Sequence, residues 1–111
     1  SLDWSLATRQ AANKPDLARD LLHMLVDALL PVQQHVEDLL QGNQNGDTLA
    51  IIHKLHGSCS YSGVPRLKQL CHVLETQLRQ NVNVADLEPE WLELLDEMVN
   101  VRQAAQLHLS S

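Results

Sequence analysis

The sequence predicts an all-α protein, an up-and-down antiparallel four-helix bundle with a short extra N-terminal helix. Leucine is abundant and phenylalanine is absent, while glycine and proline are few and lie mostly at the ends of periodic stretches. Apolar residues recur at helical spacing along several long segments. Because the links between these segments are short, consecutive helices are expected to pack as antiparallel neighbours.

The first helix is predicted to be short. Asp3 can serve as its N-cap, and its pattern ends near Asn13. A much longer second helix begins there, because Asn13 or Lys14 precedes Pro15, a residue that fits the first turn of a helix. This second helix is expected to end at about Leu40.

One apolar stripe runs along the second helix. Pro31 lies inside the pattern and is expected to kink the helix. The polar segment 41–46 then forms a turn, and Asp47 is a good N-cap for a third helix. The predicted stripe of the second helix consists of Leu17, Leu21, Met24 or Leu25, Ala28 or Leu29, Val32, Val36 and Leu39.

Two further helices complete the predicted bundle. Gly63 ends the third helix and Pro65 begins the fourth almost at once. Residues 80–88 are expected to form a loop, and Pro89 to begin the last helix. The predicted inward residues are Leu67, Leu70 or Cys71, Leu74 and Leu78 on the fourth helix, and Leu92, Leu95, Met98 or Val99, Ala105 and Leu109 on the fifth.

Length and composition favour one small domain over residues 1–111. No run approaches the roughly 18–20 apolar residues that span a bilayer, and no signal-peptide pattern opens the chain. Cys59 and Cys71 both fall on inferred apolar faces, which in a cytosolic protein favours two buried free thiols over a disulfide.

The third helix is expected to point His53 at solvent from a face with little bulk. A glycine inside a helix costs about 0.5–1 kcal/mol relative to alanine, so something other than helix stability should favour Gly57. The simplest reason is that another surface comes close to the His53 ring. At roughly 100° per residue, the residues near His53 are Leu49, Ala50, His56, Gly57 and Ser60. The opposite side holds Ile51, Leu55, Ser58 and Ser62, flanked by Ile52 and Cys59.

The segment from His53 to Gly63 resembles the histidine-containing phosphotransfer (HPt) domain. The shared features are His-x-Leu-x-Gly, the small residues after it, a second glycine, and an amphipathic helix that ends in Leu74-Glu75. With Val64-Pro65-Arg66-Leu67, the whole chain is similar to the C-terminal HPt domains of tripartite hybrid sensor kinases of the GacS/BarA type. Many HPt domains carry lysine three residues after the phosphorylated histidine, whereas this chain has His56.

The resemblance implies a phosphocarrier and not an enzyme in its own right. His53 would accept a phosphoryl group on Nε2 from the aspartate of the parent kinase's receiver domain and pass it to the aspartate of a cognate response regulator. Its Nδ1 would be held by a hydrogen bond from Gln69 on the next helix. The supporting residues implied are Lys54, His56, Gly57, Ser60, Arg66, Lys68 and Gln69.

The same resemblance implies a monomeric cytoplasmic domain of an inner-membrane sensor kinase, with no direct membrane contact of its own. No cofactor is expected in the domain, and the Mg²⁺ of the reaction would lie on the partner receiver. The sequence itself contains no glycine-rich phosphate loop and no nucleotide-binding fingerprint, so we do not expect the domain to use ATP. Imidazole, with an ordinary pKa of about 6.5, is largely neutral at physiological pH and needs no separate general base as a nucleophile.

The charge distribution also favours such a partner. The formal net charge of −6 argues against nucleic acid. All the acidic residues nevertheless lie outside the interval 48–74, which holds Lys54, Arg66 and Lys68 with three histidines. A partner with carboxylates around a divalent metal would be attracted to this mildly basic patch. The alternative is that the gap is an accident of a short domain's surface.

Two other functions compete with phosphotransfer. One is a non-catalytic helical interaction module whose Leu49–Gly57–Ser60 face binds a partner. The other is a metal site in which His53 and His56 join His72 or a cysteine, although no carboxylate lies between residues 48 and 74. Of the remaining aromatic and histidine residues, Trp4, Tyr61 and Trp91 are expected to pack, and His23, His35 and His108 to lie at the surface or its boundary.

Overall fold

The computed structural model describes residues 2–44 and 46–109, and over these residues the chain is helical and contains no strand. The α-helices are α1 (Trp4–Gln10), α2 (Pro15–Leu40), α3 (Thr48–Ser58), α4 (Pro65–Arg79) and α5 (Glu88–Leu109), with 3₁₀ turns at Cys59–Tyr61 and Val84–Leu87. Helices α2 to α5 form the predicted four-helix bundle, in which α2 packs against α5 and α3 packs against α4. The Arg19 side chain donates to the His108 carbonyl, so the start of α2 lies beside the end of α5, as antiparallel packing requires.

Side-chain caps fix two of the helix starts as predicted. The Asp3 carboxylate accepts from the Leu6 amide at 2.9 Å, and the Asp47 carboxylate accepts from the Ala50 amide at 3.1 Å. Helix α1 ends at Gln10, earlier than the predicted residue 13, because Ala12 and Asn13 adopt left-handed φ angles of 57° and 60°. The turn predicted over residues 41–46 is not helical where it is described, and Asn45 within it lies outside the described residues.

The apolar stripe of α2 is confirmed from Leu25 onward and wrong in the first turns. The prediction placed Leu17 and Leu21 inside, but Leu17 is exposed and Leu21 is half-buried. Of the alternatives Met24 and Leu25, Leu25 is the buried one. The buried residues of α2 are Ala18, Leu22, Leu25, Leu29, Val32, Val36 and Leu39. Helix α1 packs across the start of α2, where small buried residues such as Ala18 allow close approach. Helix α2 continues through Pro31, and the kink stays a prediction.

The connection from α3 to α4 holds the N-terminal helix in place. Gly63 has a left-handed φ of +64° and is buried. Its carbonyl accepts from the Asp3 amide at 2.7 Å, and its own amide donates to the Gln10 side chain at 2.8 Å. A Cβ atom at this position would lie 2.2 Å from the Asp3 carbonyl oxygen and 2.8 Å from the Ala7 amide nitrogen. Only glycine therefore fits.

The last two helices match the prediction in part. On α4 the residues Leu67, Leu70, Cys71 and Leu74 are buried and Leu78 is half-buried, as expected. The predicted loop over 80–88 contains the 3₁₀ turn Val84–Leu87, and α5 begins at Glu88, one residue before Pro89. The buried residues of α5 are Trp91, Leu94, Glu97, Met98, Val101 and Ala105.

The inward face of α5 starts at Trp91 and not at Leu92. The Trp91 side chain fills the core, and its indole N–H donates to the Val84 carbonyl at 3.0 Å, which sets the rotation of the helix. Leu92 is therefore exposed, and Leu95 and Val99 are half-buried. The prediction that Trp91 is a packing residue is confirmed. The same prediction for Tyr61 is wrong, because this residue is 56% exposed. The half-buried Trp4 stacks on the His108 ring at 4.5 Å.

The prediction of two buried free thiols is confirmed. Cys59 and Cys71 are both buried and free, and a hydrogen bond with Cys59, together with burial, raises the pKa of the Cys71 thiol. The Cys71 thiol therefore stays protonated at neutral pH. Within the described ranges, each helix is too short or too polar to cross a bilayer. His23 is exposed and His35 and His108 are half-buried, as expected.

The Gly63 geometry predicts a large loss of stability in Gly63→Ala. The new methyl group would collide with backbone atoms of α1, and alanine disfavours a positive φ, so the free energy of unfolding should fall by about 2 kcal/mol or more. Gly57→Ala is the matched control, since a Cβ at Gly57 has no neighbour within 4 Å and alanine favours a helix. Urea unfolding followed by circular dichroism would show the difference. Equal stability of the two variants would contradict this account of Gly63.

Candidate functional site

His53 projects from α3 into solvent, as the sequence predicted. Its side chain is 65% exposed, and Gly57, one turn later, is exposed with open space around it. The buried face of α3 is rotated slightly from the predicted one. It is centred on Ile52, Leu55 and Cys59, whereas Ile51 and Ser58 are half-buried against α2.

The Nδ1 atom of His53 contacts the carboxylate of Glu75, which lies on the neighbouring helix α4. Glu75 is only 8% exposed, so its carboxylate is held largely out of water beneath an exposed ring. The hydrogen bond with His53 is the largest of the effects that lower the pKa of Glu75, and it outweighs the opposing effect of burial. Glu75 is therefore ionised at neutral pH.

This contact fixes the tautomer of His53. An ionised carboxylate can only accept hydrogen bonds, so the hydrogen of the neutral ring must be on Nδ1. The lone pair then lies on Nε2, on the side of the ring away from Glu75. The arrangement presents a nucleophilic nitrogen to solvent in a fixed orientation.

Glu75 holds two more side chains. Its Oε2 accepts from Nδ1 of His56 at 3.3 Å, and its Oε1 accepts from the Arg79 guanidinium at 3.4 Å. His56 is mostly buried, with 23% of its side chain exposed, and its ring lies 5.5 Å from that of His72 between centroids. The carboxylate thus joins His53, His56 and Arg79 into one cluster, which we call the Glu75 cluster.

The expected role of Gln69 is wrong in this structure, because Glu75 occupies the position beside Nδ1 of His53. Gln69 is exposed and precedes Glu75 on α4 by six residues, about 9 Å along the helix axis and on a different side. Two histidines of the basic interval 48–74, His53 and His56, therefore contact a carboxylate that lies just outside the interval in sequence. The sequence did contain a signal, since Glu75 follows Cys71 by one turn on the apolar stripe of α4.

The other predicted supporting residues lie outside the Glu75 cluster. Lys54 lines a groove between α3 and α2. Arg66 pairs with Glu93 of α5 at 3.3 Å, and both side chains are more than half exposed. Lys68 is exposed, and Ser60 is half-buried in the 3₁₀ turn.

A groove lies between α2 and α3 and reaches Gly57, one helical turn after His53. It has a volume of about 470 Å³ next to Gly57, and a second part of about 260 Å³ continues along α2 and α3. Met24 and Tyr61 are exposed at its edge, which explains why neither side chain is in the core. The lining residues include Leu21, Met24, Ala28, Lys54, Gly57 and Tyr61.

The histidines and cysteines considered for a metal site are engaged in other contacts or buried in the core. Among residues 2–44 and 46–109 there is no group of three or more His, Cys, Asp or Glu side chains that could hold a metal ion. The Nδ1 atoms of His53 and His56 both face Glu75, and both cysteines are in the core.

Comparison with known proteins places this geometry in a family. Residues 20–105 match the model of the Hpt domain. The chain is 58% identical over 105 residues to the signal transduction histidine-protein kinase BarA of Escherichia coli strain K12, covering 95% of the chain and 11% of that protein. It is 42% identical over 81 residues to the sensor protein GacS of Pseudomonas syringae pv. syringae, covering 72% of the chain and 9% of that protein. The chain thus spans about a tenth of the length of these relatives.

A solved structure of an HPT domain has the same fold as this chain. The crystal structure of the HPT domain from an Hpt sensor hybrid histidine kinase of Shewanella has a TM-score of 0.92 and 42% sequence identity to this chain. The match covers 98% of this chain and 93% of that one. The predicted extent of the domain, residues 1–111, stays a prediction, since the family model matches the narrower range.

The lowered pKa of Glu75 predicts how acid affects stability. A carboxylate with a pKa below its ordinary value stabilises the fold fully above that ordinary value, and this contribution is lost as the pH falls through the lowered pKa. Acidification below about pH 4 should therefore reduce the stability of the wild type more than that of Glu75→Gln.

Urea unfolding between pH 6 and pH 2.5 would measure this difference. Glu93→Gln is the matched control, because the Glu93 carboxylate is exposed and paired only with Arg66 among the contacts described. Parallel curves for the wild type and Glu75→Gln would show that Glu75 contributes no pH-dependent stability.

Proposed function

The chain belongs to the Hpt domain family, the histidine phosphotransfer domains of two-component phosphorelays, and from this premise we propose that His53 carries the phosphoryl group on Nε2. The observation that supports this proposal is the His53–Glu75 contact, which leaves Nε2 free and exposed. Among the six histidines, His53 combines an exposed ring with a carboxylate at Nδ1 and an open glycine one turn away.

The proposed reaction needs no proton transfer at the ring. The Nε2 lone pair of His53 attacks the phosphorus of an aspartyl phosphate, an N–P bond forms, and the aspartate leaves as a carboxylate. The ring becomes cationic with its hydrogen still on Nδ1, where the negative charge of Glu75 stabilises it. In the next transfer the ring leaves as neutral imidazole, so one hydrogen-bond arrangement serves both directions.

We propose that the donor is a receiver domain and the acceptor is the aspartate of a response regulator. The apolar groove next to Gly57 offers a surface on which such a domain can pack while its aspartate reaches His53. Lys54 at the same groove would attract a partner with an acidic, Mg²⁺-binding pocket. Arg66 is already paired with Glu93, and we therefore expect it to contribute less to the attraction of the partner. The parent protein would be a hybrid sensor kinase of the inner membrane, with this domain on the cytoplasmic side.

The rival function, a non-catalytic interaction module, is not favoured. The proposed Leu49–Gly57–Ser60 face is weak as an apolar surface, because Leu49 and Ser60 are themselves half-buried. A pure binding surface would also not require an exposed histidine whose tautomer is fixed by a buried carboxylate.

Replacing the nucleophile should abolish phosphate uptake and leave the fold intact. Loss of an exposed ring opens no cavity in the core, so His53→Gln should stay folded. Incubation with a phosphorylated receiver should give acid-labile, base-stable phosphate on the wild type and none on this variant. His23→Gln, a change at an exposed histidine of α2, is the control and should accept phosphate normally. Undiminished labelling of folded His53→Gln would move the site to another histidine.

A bulky side chain at Gly57 should block the partner and not the chemistry. Gly57→Leu has room in the free protein, so its stability should be preserved or improved. The leucine would hold a receiver away from His53, and a displacement of about 1 Å already costs about 100-fold in rate. Transfer from the receiver should therefore slow by about 100-fold or more, while phosphorylation by the small donor phosphoramidate should keep its wild-type rate. Equal slowing with both donors would contradict the role of Gly57 in close approach.

A further inference from the structure

We infer that His56 is a proton-linked positioning residue of this site, which takes up a proton when His53 is phosphorylated and so makes the amount of phosphohistidine depend on pH. This inference rests on the proposed function of His53. It starts from one observation, that His53 and His56 donate to the two oxygens of the same buried carboxylate. A charge that appears on either ring is therefore felt by the other through Glu75.

The charge balance of the phosphorylated state sets the direction. Before transfer, the Glu75 carboxylate is offset by the Arg79 guanidinium. The His53 ring must be neutral at that point, because only a neutral imidazole has the lone pair that attacks phosphorus. Transfer places a phosphoryl dianion on a cationic ring, which adds one net negative charge to the site. A histidine that already donates to Glu75 and is only 23% exposed is well placed to compensate that charge by binding a proton.

The titratable and charged groups that face His56 do not prevent it from binding this proton. On α4 they are Glu75, Arg79 and the His72 ring, which is exposed and 5.5 Å away. The side chains of α2 that line its groove with α3 are apolar and carry no titratable group. The 3₁₀ turn contributes Tyr61, whose side chain lies at that groove on the α2 side.

More distant charges are either engaged elsewhere or on another side. Lys54 of α3 lies on the groove between α3 and α2, and His35 of α2 bonds Thr48 at the start of α3. The Arg66–Glu93 pair, which links α4 to α5, is neutral as a unit. Cys71 stays a neutral thiol because a hydrogen bond with Cys59 and burial raise its pKa.

Competition between the two histidines for Glu75 would act in the opposite direction. A proton on His56 would then draw the carboxylate away from His53 and weaken the charge that stabilises the phosphorylated ring. The geometry argues against this outcome, since His53 uses Oε1 and His56 uses Oε2, and the two hydrogen bonds coexist. Lower pH should therefore increase phosphohistidine and not decrease it.

The identity of His56 is what creates the pH dependence. Many HPt domains have lysine at this position, and lysine keeps its charge throughout the physiological range. Imidazole, with an ordinary pKa of about 6.5, carries charge only when it binds a proton. At this position the chain therefore has a charge that depends on pH, where many HPt domains have a permanent one.

The first test is an NMR titration of the histidine rings in the protein, without and with phosphoramidate treatment. Phosphorylation of His53 should move the titration midpoint of His56 to higher pH by roughly 0.5–1 pH unit. The ring nitrogens would also report which atom of His53 carries phosphorus. No phosphohistidine at His53 would refute the proposed function, whereas phosphohistidine at His53 with an unmoved His56 would refute only this inference.

The second test is the equilibrium of phosphotransfer with one receiver between pH 6 and pH 8. Relative to His56→Lys, the wild type should gain phosphohistidine by about two- to sixfold as the pH falls across this range. His56→Gln, which keeps a side-chain donor for Glu75 and cannot titrate, should follow the lysine variant in its pH profile. His23→Gln, a change at an exposed histidine of α2 outside the Glu75 cluster, is the control and should keep the wild-type profile. Superimposable wild-type and His56→Lys profiles, or a dependence of opposite sign, would overturn the inference.

Discussion

The buried carboxylate of Glu75 is the constraint on which the site depends. An ionised carboxylate that is withdrawn from water must be compensated, and here two imidazole rings and a guanidinium provide the compensation. The same hydrogen bonds place the ring hydrogen of His53 on Nδ1 and turn Nε2 outward. A single requirement of folding, the satisfaction of one buried charge, therefore also prepares the nucleophile.

The bundle supports this arrangement from a distance. Helices α3 and α4 are joined through a 3₁₀ turn and the left-handed Gly63. The N-terminal helix is fixed to Gly63 by hydrogen bonds with the Asp3 amide and the Gln10 side chain. Leu55 of α3 and Leu74 of α4 are both buried in the core. Rotation of either helix about its axis would break core packing before it separated His53 from Glu75, so the contact inherits the rigidity of the core.

The sequence predicts those features that depend on local rules. The N-caps at Asp3 and Asp47, the turn at Gly63 and the exposure of His53 all follow from residue type and spacing. Predictions failed where two arrangements satisfy the same pattern. Leucine fits either side of the start of α2, so periodicity alone did not show that Ala18 and Leu22 face inward and not Leu17 and Leu21.

The partner of Nδ1 could not be predicted for a related reason. Glu75 lies 22 residues beyond His53 on another helix, and which α4 side chain meets the ring depends on how α3 and α4 are rotated against each other. A carboxylate on an apolar stripe was nonetheless a local signal of a buried polar role. The exposure of Tyr61 and Met24 is likewise a property of the assembled groove and not of their own segments.

The separation of the Glu75 cluster from the groove has a consequence for divergence within the family. Each described contact that orients His53 comes from α3 and α4, whereas much of the groove wall comes from α2. Substitutions at Leu21, Met24 or Ala28 can therefore alter which partner fits while the nucleophile and its carboxylate stay unchanged. The part of the recognition surface on α2 is separate from the reactive residues, so duplicated copies of such a domain can acquire new partners without first losing their chemistry.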